Sequence, residues 1–305
     1  MIKTPPKYVW MDGRFVEWEN AAVHVSVHAL HYGTAVFEGI RAYMGKKNLY
    51  VFRLPEHLNR LMSSAKMLGL SSPYSVEELR DVVIELLRKN EFKTDLYIRP
   101  LLYVGRGSIG LDISKNEVNV LIFAFPFPRY FEKPRGLKVC VSSWRRIDDD
   151  SSPPMAKVSG NYVNSVLATM EARRAGYDEA IFLNQKGYVS EGPGENIFLV
   201  RNGSLATPPL CASILEGITR NTVMELAREE GFKVEERMIS RGELYLADEL
   251  FFTGSAAEIT PIIEVDGRPV GDGKPGEITL RIRERFIKIV RGEDESHIEW
   301  LTPIY

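Results

Sequence analysis

The sequence predicts a mixed α/β (α+β) chain of two domains, and three observations lead to this class. The 305 residues suit two domains of roughly 150 residues each. Some segments have apolar residues at every second position, which is typical of strands. Other segments have apolar residues spaced at three and four, which is typical of helices. Three prolines interrupt both patterns and predict a linker over 126–135, between a smaller domain at 1–125 and a larger one at 136–305: Pro126, Pro128 and Pro134.

The smaller domain reads as strands followed by two helices. Asp12 and Gly13 lie between two apolar runs and predict a hairpin, because both residues tolerate a positive φ. The alternating valines from Val23 to Val27 predict a further strand that runs through His28. The other elements predicted here are a strand at 49–53, helices that begin at Pro55 and Ser75, and strands at 95–104 and 118–125.

The larger domain alternates short strands with helices. Gly176 and Gly231 suit the ends of two helices, at 161–175 and 219–230. The remaining elements predicted are strands at 179–183 and 196–200, a capping box at 240–243, a hairpin across 266–267, and a final helix through Ile278, Ile282, Phe286 and Ile289.

Composition excludes several classes of protein. Lys and Arg total 39 against 41 Asp and Glu, which leaves no basic excess to bind a nucleic acid. No apolar run reaches the ~20 residues of a membrane span, and no signal peptide opens the chain. Cys140 and Cys211 are too few for a disulfide framework or a zinc site. These features predict a cytoplasmic protein without nucleic-acid or membrane partners.

One segment matches the residue pattern of a dinucleotide-binding motif but lacks the helix that should follow it. The segment 105–110 reads G-R-G-S-I-G and follows a predicted strand, as the pattern G-x-G-x-x-G does. That pattern also needs a helix directly afterwards to hold the pyrophosphate. The next strand begins by Val118, which leaves no room for such a helix. We therefore expect a ligand-approaching loop and no nicotinamide dinucleotide.

The histidines of the N-terminal region do not predict a metal site. His24, His28 and His31 would share one face of a helix. The predicted strand through His28 would separate them, and no carboxylate lies close in sequence to complete the ligand set. We expect packed or interfacial histidines and no metal.

Two segments of the larger domain offer a nucleophile and an acid. Lys157 lies between a proline-rich loop and a helix, where burial would lower its pKa and free the amine to attack a carbonyl. Glu191 follows a strand and precedes a glycine-rich turn, where a carboxylate can pair with a cationic ring nitrogen. When each residue is considered alone, Lys157 could also be an ordinary surface lysine and Glu191 an ordinary charged turn residue.

Two further segments could bind anions. Gly217 and Thr219 stand at the start of a helix, whose N–H groups and hydroxyl suit a phosphate, although a plain threonine cap is as good an interpretation. The small residues at 254–257 expose successive N–H groups after a strand. Pyridoxal phosphate chemistry requires this combination: a lysine that attacks a carbonyl, a carboxylate that pairs with a pyridinium nitrogen, and two anion-binding sites.

These segments, with others, resemble the class IV aminotransferases, the fold-type IV pyridoxal phosphate enzymes. The similarity runs in order from about residue 8 to the end of the chain. Within that class the chain is most similar to branched-chain amino acid aminotransferases, because Y-I-R-P at 97–100 differs from the pattern of D-amino acid transaminases. The segments that carry the resemblance are K-V-S-G-N-Y at 157–162, E-G-P-G-E-N at 191–196, G-I-T-R at 217–220, G-S-A-A-E at 254–258, H-A-L-H-Y-G at 28–33, V-F-E-G-I-R-A-Y at 36–43 and H-L-N-R-L at 57–61.

The resemblance implies a two-domain fold with a barrel-like sheet in the larger domain, and pyridoxal 5′-phosphate as the cofactor. Lys157 would bond this cofactor covalently and move the proton of the substrate Cα. Glu191 would bond the pyridine nitrogen, and Tyr162 the phenolic oxygen. The other implied cofactor contacts are Arg60, Ile218, Thr219 and Ser255 at the phosphate, and Leu215 against the ring.

The resemblance also implies how substrates are held. The N–H groups of Ser255 and Ala256, with the Tyr97 hydroxyl, would hold the α-carboxylate. Arg99 would orient Tyr97 and meet the second carboxylate of 2-oxoglutarate or glutamate. The apolar pocket would be lined by Phe37, Gly39, Arg41 and Tyr130, with Tyr32 and Leu111 from the neighbouring subunit of a homo-oligomer that is at least a dimer.

The expected reaction is transamination between L-leucine, L-isoleucine or L-valine and 2-oxoglutarate. A same-fold D-amino acid or (R)-amine transaminase is the alternative, and a non-enzymatic binding protein is a third interpretation. Two departures from the commoner family pattern bear on side-chain preference. Phe127 occupies a loop where tryptophan is often found, and Arg106 is an unusual charge in the 105–112 loop.

Overall fold

The structure, a computed structural model, describes residues 4–127, 131 and 135–305. Tyr130 and most of the predicted linker lie outside these described residues. In chain order the strands are Tyr8–Met11 (β1), Arg14–Glu17 (β2), Ala35–Phe37 (β3), Ile40–Met44 (β4), Leu49–Phe52 (β5), Leu96–Val104 (β6), Val118–Pro126 (β7), Leu137–Arg145 (β8), Glu179–Leu183 (β9), Asn196–Arg201 (β10), Ser204–Thr207 (β11), Val234–Glu236 (β12), Glu249–Gly254 (β13), Glu258–Val265 (β14), Arg268–Pro269 (β15) and Leu301–Pro303 (β16). The α-helices are His28–Tyr32 (α1), Leu54–Met67 (α2), Val76–Lys89 (α3), Tyr162–Arg174 (α4), Ile218–Glu229 (α5), Arg241–Leu244 (α6) and Glu277–Val290 (α7).

The chain divides into two units, and the division differs from the predicted one. The first unit comprises Met1–Pro128, Ala156–Gly160 and Lys288–Tyr305, and the second comprises Arg129–Met155 and Asn161–Ile287. The sequence prediction assigned everything from 136 onward to one domain. The structure instead returns two segments of that range to the first unit, one of which carries Lys157.

The first unit is built on an antiparallel sheet with the order β16-β5-β4-β6-β7-β1-β2, and β3 pairs with β6. Helices α2 and α3 pack against each other and bury apolar residues that are spaced at three and four along each helix. Leu58 and Leu61 are fully buried, which stabilises the fold by about 1.5–3 kcal/mol for each side chain. The predicted hairpin is confirmed, since Asp12 and Gly13 both have positive φ.

The predicted strand through His28 is wrong. Residues 21–27 form no strand and contain a turn at 25–26, and helix α1 begins at His28. Val23 and Val25 are exposed, so their alternation buries no face. No described strand pairs with this segment, and a strand without a partner leaves its backbone groups unsatisfied. As predicted, no helix lies between the segment 105–110 and β7, so this segment lacks the helix that the dinucleotide-binding pattern requires.

The second unit contains a mixed sheet with the order β12-β11-β10-β13-β14-β8-β9, and β15 pairs with β14. The pairs β11–β12, β14–β8 and β8–β9 are parallel, and the other pairs are antiparallel. Its core is a cluster of aliphatic and aromatic residues on these strands. The predicted capping box at Ser240 and the hairpin at Asp266-Gly267 are confirmed. Across the described residues, no helix is long and apolar enough to cross a membrane.

Candidate active site

Three backbone interactions hold Lys157 within the first unit. Its N–H donates to the Ser64 hydroxyl on α2 at 3.1 Å, and its carbonyl accepts from the N–H of Phe37 at 3.1 Å. An isolated antiparallel bridge joins the adjacent pair Val36 and Val158. The main chain of this lysine is therefore fixed by both a helix and a strand end.

The side chain of Lys157 is half-buried and lies against an aromatic ring. Its Nζ is 5.0 Å from the centre of the Phe37 ring, and the Arg99 guanidinium is 4.5 Å from the same centre. Cations at these distances are attracted by the π face of the ring. Phe37 thus brings the candidate nucleophile and one predicted carboxylate-binding arginine to a single ring.

A buried acid holds Arg60. Arg60 donates from Nε and Nη2 to the two oxygens of Glu38 at 2.7 and 2.8 Å, and the His57 Nδ1 lies 2.7 Å from Glu38 Oε2. Burial alone would raise the pKa of the Glu38 carboxyl, but the Arg60 charge and the hydrogen bonds from His57 and Arg60 lower that pKa well below its usual range. Burial lowers the pKa of His57 despite the nearby carboxylate.

The substrate-binding residues predicted on β4 and β6 lie together. Arg99 donates to the Tyr97 hydroxyl at 3.1 Å. A Cβ at Gly39 would lie 1.9 Å from that hydroxyl oxygen, so only glycine leaves room for the Tyr97 side chain. Arg41 is the register partner of Tyr97, and its guanidinium lies 5.2 Å from the centre of the Phe127 ring. Phe127 also contacts the Tyr97 ring, with 5.3 Å between the ring centres.

Tyr32 and Leu111 lie on the surface of the first unit. The Tyr32 hydroxyl donates to the carbonyl of Ile109 at 3.1 Å, and His28 Nε2 lies 3.0 Å from the carbonyl of Gly110. Leu111 is 81% exposed. Helix α1 therefore supports the glycine-containing loop, which presents its apolar side chains to solvent.

In the second unit, Glu191 is buried among donors. Its Oε2 accepts from the Asn196 amide at 3.0 Å and from the N–H of Leu215 at 3.1 Å. Its Oε1 lies 2.9 Å from Nε of Arg146, a close charge contact without hydrogen-bond alignment. These contacts fix the carboxylate in one orientation, as a partner for a ring nitrogen requires.

Helix α5 begins next to this carboxylate network. Gly217 is the N-cap and no side chain caps the helix, so the interpretation of Thr219 as a plain cap is wrong and Thr219 lies inside the first turn. A Cβ at Gly217 would lie 1.9 Å from the Asn196 amide oxygen. The N–H groups of Ile218 and Thr219 belong to the uncapped first turn, where an anion is favoured.

Ser255 and Ala256 form the turn between β13 and β14. The strand that leads to them pairs with β10, with Thr253 opposite Asn196. The Thr253 hydroxyl is buried and has no hydrogen-bond partner among the described residues, a cost that a bound polar group would relieve. Tyr162 is the first residue of α4.

Comparison with known proteins places the chain in a family. Residues 35–265 match the family model described as amino-transferase class IV. The chain belongs to this family. It is 46% identical over 301 residues to the branched-chain-amino-acid aminotransferase of Escherichia coli strain K12, covering 97% of each chain. A probable branched-chain-amino-acid aminotransferase of Aquifex aeolicus is 45% identical, over 98% of this chain and 97% of the relative.

Solved structures agree with this class IV aminotransferase over its whole length. The branched-chain aminotransferase of Thermoproteus uzoniensis with norvaline has a TM-score of 0.95 and 52% identity, covering 98% of this chain and 100% of that one. The branched-chain amino acid aminotransferase of Thermobaculum terrenum, solved in its PLP-form, has a TM-score of 0.94 and 42% identity, covering 99% of both chains. The predicted fold class is confirmed.

The structure of this aminotransferase also brings forward residues that sequence reasoning did not assign to the site. Glu38 was quoted only as part of a motif, although an acid inside the apolar run V-F-E-G-I is a signal of a paired buried charge. His57 stands three residues before Arg60 on the same helix, so it shares a face with the arginine. Ser64 and Arg146 carry no local signal, because each contacts a residue distant in sequence.

Proposed function

We propose that this protein is a pyridoxal phosphate-dependent branched-chain aminotransferase. It transfers the amino group of L-leucine, L-isoleucine or L-valine to 2-oxoglutarate, giving branched-chain 2-oxo acids and L-glutamate. The observation that carries this proposal is the full-length similarity, at 52% identity, to an aminotransferase solved with norvaline. The name shared by the relatives from Escherichia coli and Aquifex aeolicus supports the same substrate class.

The residues present fit pyridoxal phosphate. The buried, oriented carboxylate of Glu191 suits a protonated ring nitrogen, and the orphaned Thr253 hydroxyl lies on the strand that leads to a predicted phosphate contact, Ser255. Arg60 and the N–H groups of Ile218 and Thr219 are the other phosphate donors. Leu215 would pack against the ring, and the hydroxyl of Tyr162 would bond the phenolic oxygen. When bound, the cofactor supplies an electron sink for the pair left on the substrate Cα.

Lys157 is the catalytic residue of this proposal. Its Nζ takes the proton from the substrate Cα and returns a proton later in the cycle. The hydrogen bonds from Lys157 N–H to Ser64 and from Phe37 N–H to the Lys157 carbonyl fix the backbone from which this amine extends. Glu191 keeps a proton on the ring nitrogen, because an ionised carboxylate favours a charged partner.

The substrate is held by charge and by shape. Tyr97, with the N–H groups of Ser255 and Ala256, holds the α-carboxylate, and the 3.1 Å bond from Arg99 orients the Tyr97 hydroxyl. Arg99 also meets the second carboxylate of 2-oxoglutarate. The apolar pocket is lined by Phe37, Gly39, Arg41 and Tyr130, with Tyr32 and Leu111 from a second subunit. Such a pocket distinguishes side chains that differ by one methylene by only about 1–3 kcal/mol, so all three branched-chain amino acids should react.

The protein works as a homo-oligomer of at least two subunits with shared active sites. The support is a set of exposed apolar side chains on the first unit, grouped around α1 and the 105–112 loop: Val25, Leu30, Tyr32, Ile109 and Leu111. A cytoplasmic location is supported by the two cysteines, which are both free thiols.

An amino-donor panel with 2-oxoglutarate tests the proposed function. We expect glutamate to form from L-leucine, L-isoleucine and L-valine, and far more slowly from D-leucine and from an (R)-amine such as (R)-1-phenylethylamine. Faster reaction with D-leucine or the (R)-amine would establish the alternative same-fold transaminase. No glutamate from any donor, with the cofactor bound, would exclude both.

A further inference from the structure

The Arg60 side chain is held by a fully buried carboxylate, Glu38, whose purpose the fold alone does not explain. Glu38 is 0% exposed and His57 is 1% exposed, while Arg60 keeps 14% of its side chain exposed. Burying two charged groups costs more than a surface pair returns, and an apolar pair of the same volume would often stabilise the fold as well. Of these three residues, only the arginine keeps part of its side chain exposed.

The geometry of this pair fixes the plane of the guanidinium. Nε and Nη2 of Arg60 bind the two Glu38 oxygens side by side, a fork arrangement that allows one orientation. Glu38 is itself fixed, because its N–H donates to the carbonyl of Pro100 at 2.9 Å and its Oε2 also meets the Gly39 N–H at 3.3 Å. The His57 contact at 2.7 Å completes the coordination of that oxygen.

We propose that Glu38, supported by His57, is a positioning residue that orients the guanidinium of Arg60 for the phosphate of the cofactor. This inference rests on the proposed function, in which Arg60 binds that phosphate. An oriented arginine has already lost its rotamer freedom, so binding does not have to supply that ordering. Glu38 acts through Arg60 and touches no reacting atom.

Two possible roles of Glu38, orienting Arg60 and neutralising its charge, make opposite predictions for Glu38→Gln. The substitution keeps the shape of the side chain but removes the charge that locks the fork. If orientation dominates, phosphate binding weakens several-fold to about tenfold, the usual cost of ordering one long side chain. If Glu38 acted only as a countercharge, its removal would leave Arg60 more positive and phosphate binding would tighten.

The test compares two ligands that differ by the phosphate alone. The full-length protein freed of cofactor is titrated with pyridoxal 5′-phosphate and with pyridoxal, and the ratio of the two dissociation constants isolates the phosphate contribution. We expect Glu38→Gln to reduce this ratio of affinities several-fold while leaving pyridoxal binding unchanged. An unchanged or increased phosphate preference would overturn the inference, as would an equal loss for both ligands, which indicates a merely structural role.

Two further variants separate the inference from the proposed function. Arg60→Ala should remove most of the phosphate preference, and adding Glu38→Gln to it should cause no further loss. If Arg60→Ala keeps the preference, the role of Arg60 in the proposed function fails. If Arg60→Ala loses the phosphate preference but the effects of Arg60→Ala and Glu38→Gln on it are additive, only the inference about Glu38 fails.

Two substitutions of His57 provide an independent test in case the Glu38 variant does not fold. His57→Leu removes the donor to Glu38 and should lower the phosphate preference. His57→Asn keeps an N–H donor at the position of Nδ1 and should restore it. Equal phosphate preference in the wild type, His57→Leu and His57→Asn would contradict the positioning role.

Discussion

The Ser64 hydroxyl on helix α2 accepts the backbone N–H of Lys157 at 3.1 Å. The same helix carries Arg60, one turn earlier. The helix therefore ties together the backbone of the candidate nucleophile and the arginine proposed to bind the phosphate, through a hydrogen bond between Ser64 and Lys157 that spans a sequence separation of 93 residues. The rigidity of one helix sets how far apart these two anchors lie.

Removing the Ser64 hydroxyl should loosen Lys157. Ser64→Ala leaves a buried N–H without its acceptor, which should cost about 1–3 kcal/mol of the free energy of unfolding. We also expect a lower kcat, because the amine is less well placed. Ser63→Ala is the matched control, since Ser63 is the exposed neighbour on the same helix and bonds only to the helix backbone. Equal effects of the two substitutions in urea unfolding and in kcat would refute this role of Ser64.

A methyl group at Gly39 should displace Tyr97. The Cβ of Gly39→Ala would lie 1.9 Å from the Tyr97 hydroxyl, so the ring must move away from its bond with Arg99. A misplacement of about 1 Å can cost on the order of 10²-fold, and we expect kcat/KM for 2-oxoglutarate to fall by about 10–100-fold. Gly242→Ala serves as the control, because its nearest neighbour is 4.0 Å from the new Cβ. Unchanged kinetics in Gly39→Ala would show that Tyr97 does not contact the substrate.

Neutralising Glu191 should slow turnover without unfolding the protein. Glu191→Gln keeps acceptor oxygen geometry toward Asn196 and Leu215 but cannot hold a proton on a ring nitrogen as an ionised carboxylate does. We expect kcat to fall by about 10²–10³-fold, the usual effect of removing one preorganised electrostatic group. Glu191→Asp, which keeps the charge, should recover part of the loss. Stopped-flow half-reactions measure this, and a kcat within twofold of the wild type would contradict the role.

The buried His57 should make stability depend on pH. Because burial lowers its pKa in the folded protein, the unfolded chain binds a proton at this residue as the pH falls through about 6.5, and the folded chain binds one only at lower pH. Stability from this residue is therefore present above that pH and is lost as the pH falls, by up to about 1.4 kcal/mol per pH unit. Glu38 stays ionised in both states down to about pH 5, so the window between about pH 7 and pH 5 isolates the histidine.

Urea unfolding of two variants over that window checks this expectation. His57→Asn should show a shallower loss of stability toward pH 5 than the wild type. His24→Asn, at an exposed histidine, should follow the wild-type slope. Identical slopes for the wild type and His57→Asn would show that the pKa of His57 does not differ between the folded and the unfolded protein.

The sequence predicted local features well because local chemistry determines them. The helix capped at Ser75 has its capping box, and the turn at Asp12-Gly13 has the positive φ values that these residues tolerate. The strand predicted through His28 failed because a valine alternation carries no information about whether a neighbouring strand exists. The return of Lys157 to the first unit depends on its contacts with Ser64 and Phe37, which no local pattern encodes.

Site residues were predictable to the extent that family motifs carry them. Arg60, Lys157 and Glu191 were all identified from short segments. Their supports were not, since the Arg146 contact with Glu191 and the Ser64 contact with Lys157 join residues far apart in sequence. Local chemistry and the family resemblance assign the candidate groups, and only the folded chain shows which residues contact them.

Borohydride reduction of the protein loaded with pyridoxal phosphate tests directly whether Lys157 is the catalytic amine. Reduction makes the bond between cofactor and lysine permanent, and peptide mapping by mass spectrometry then locates it. We predict the label on Lys157, no label at that peptide in Lys157→Ala, and loss of transamination in that variant. A label on another lysine, or wild-type turnover by Lys157→Ala, would contradict the account.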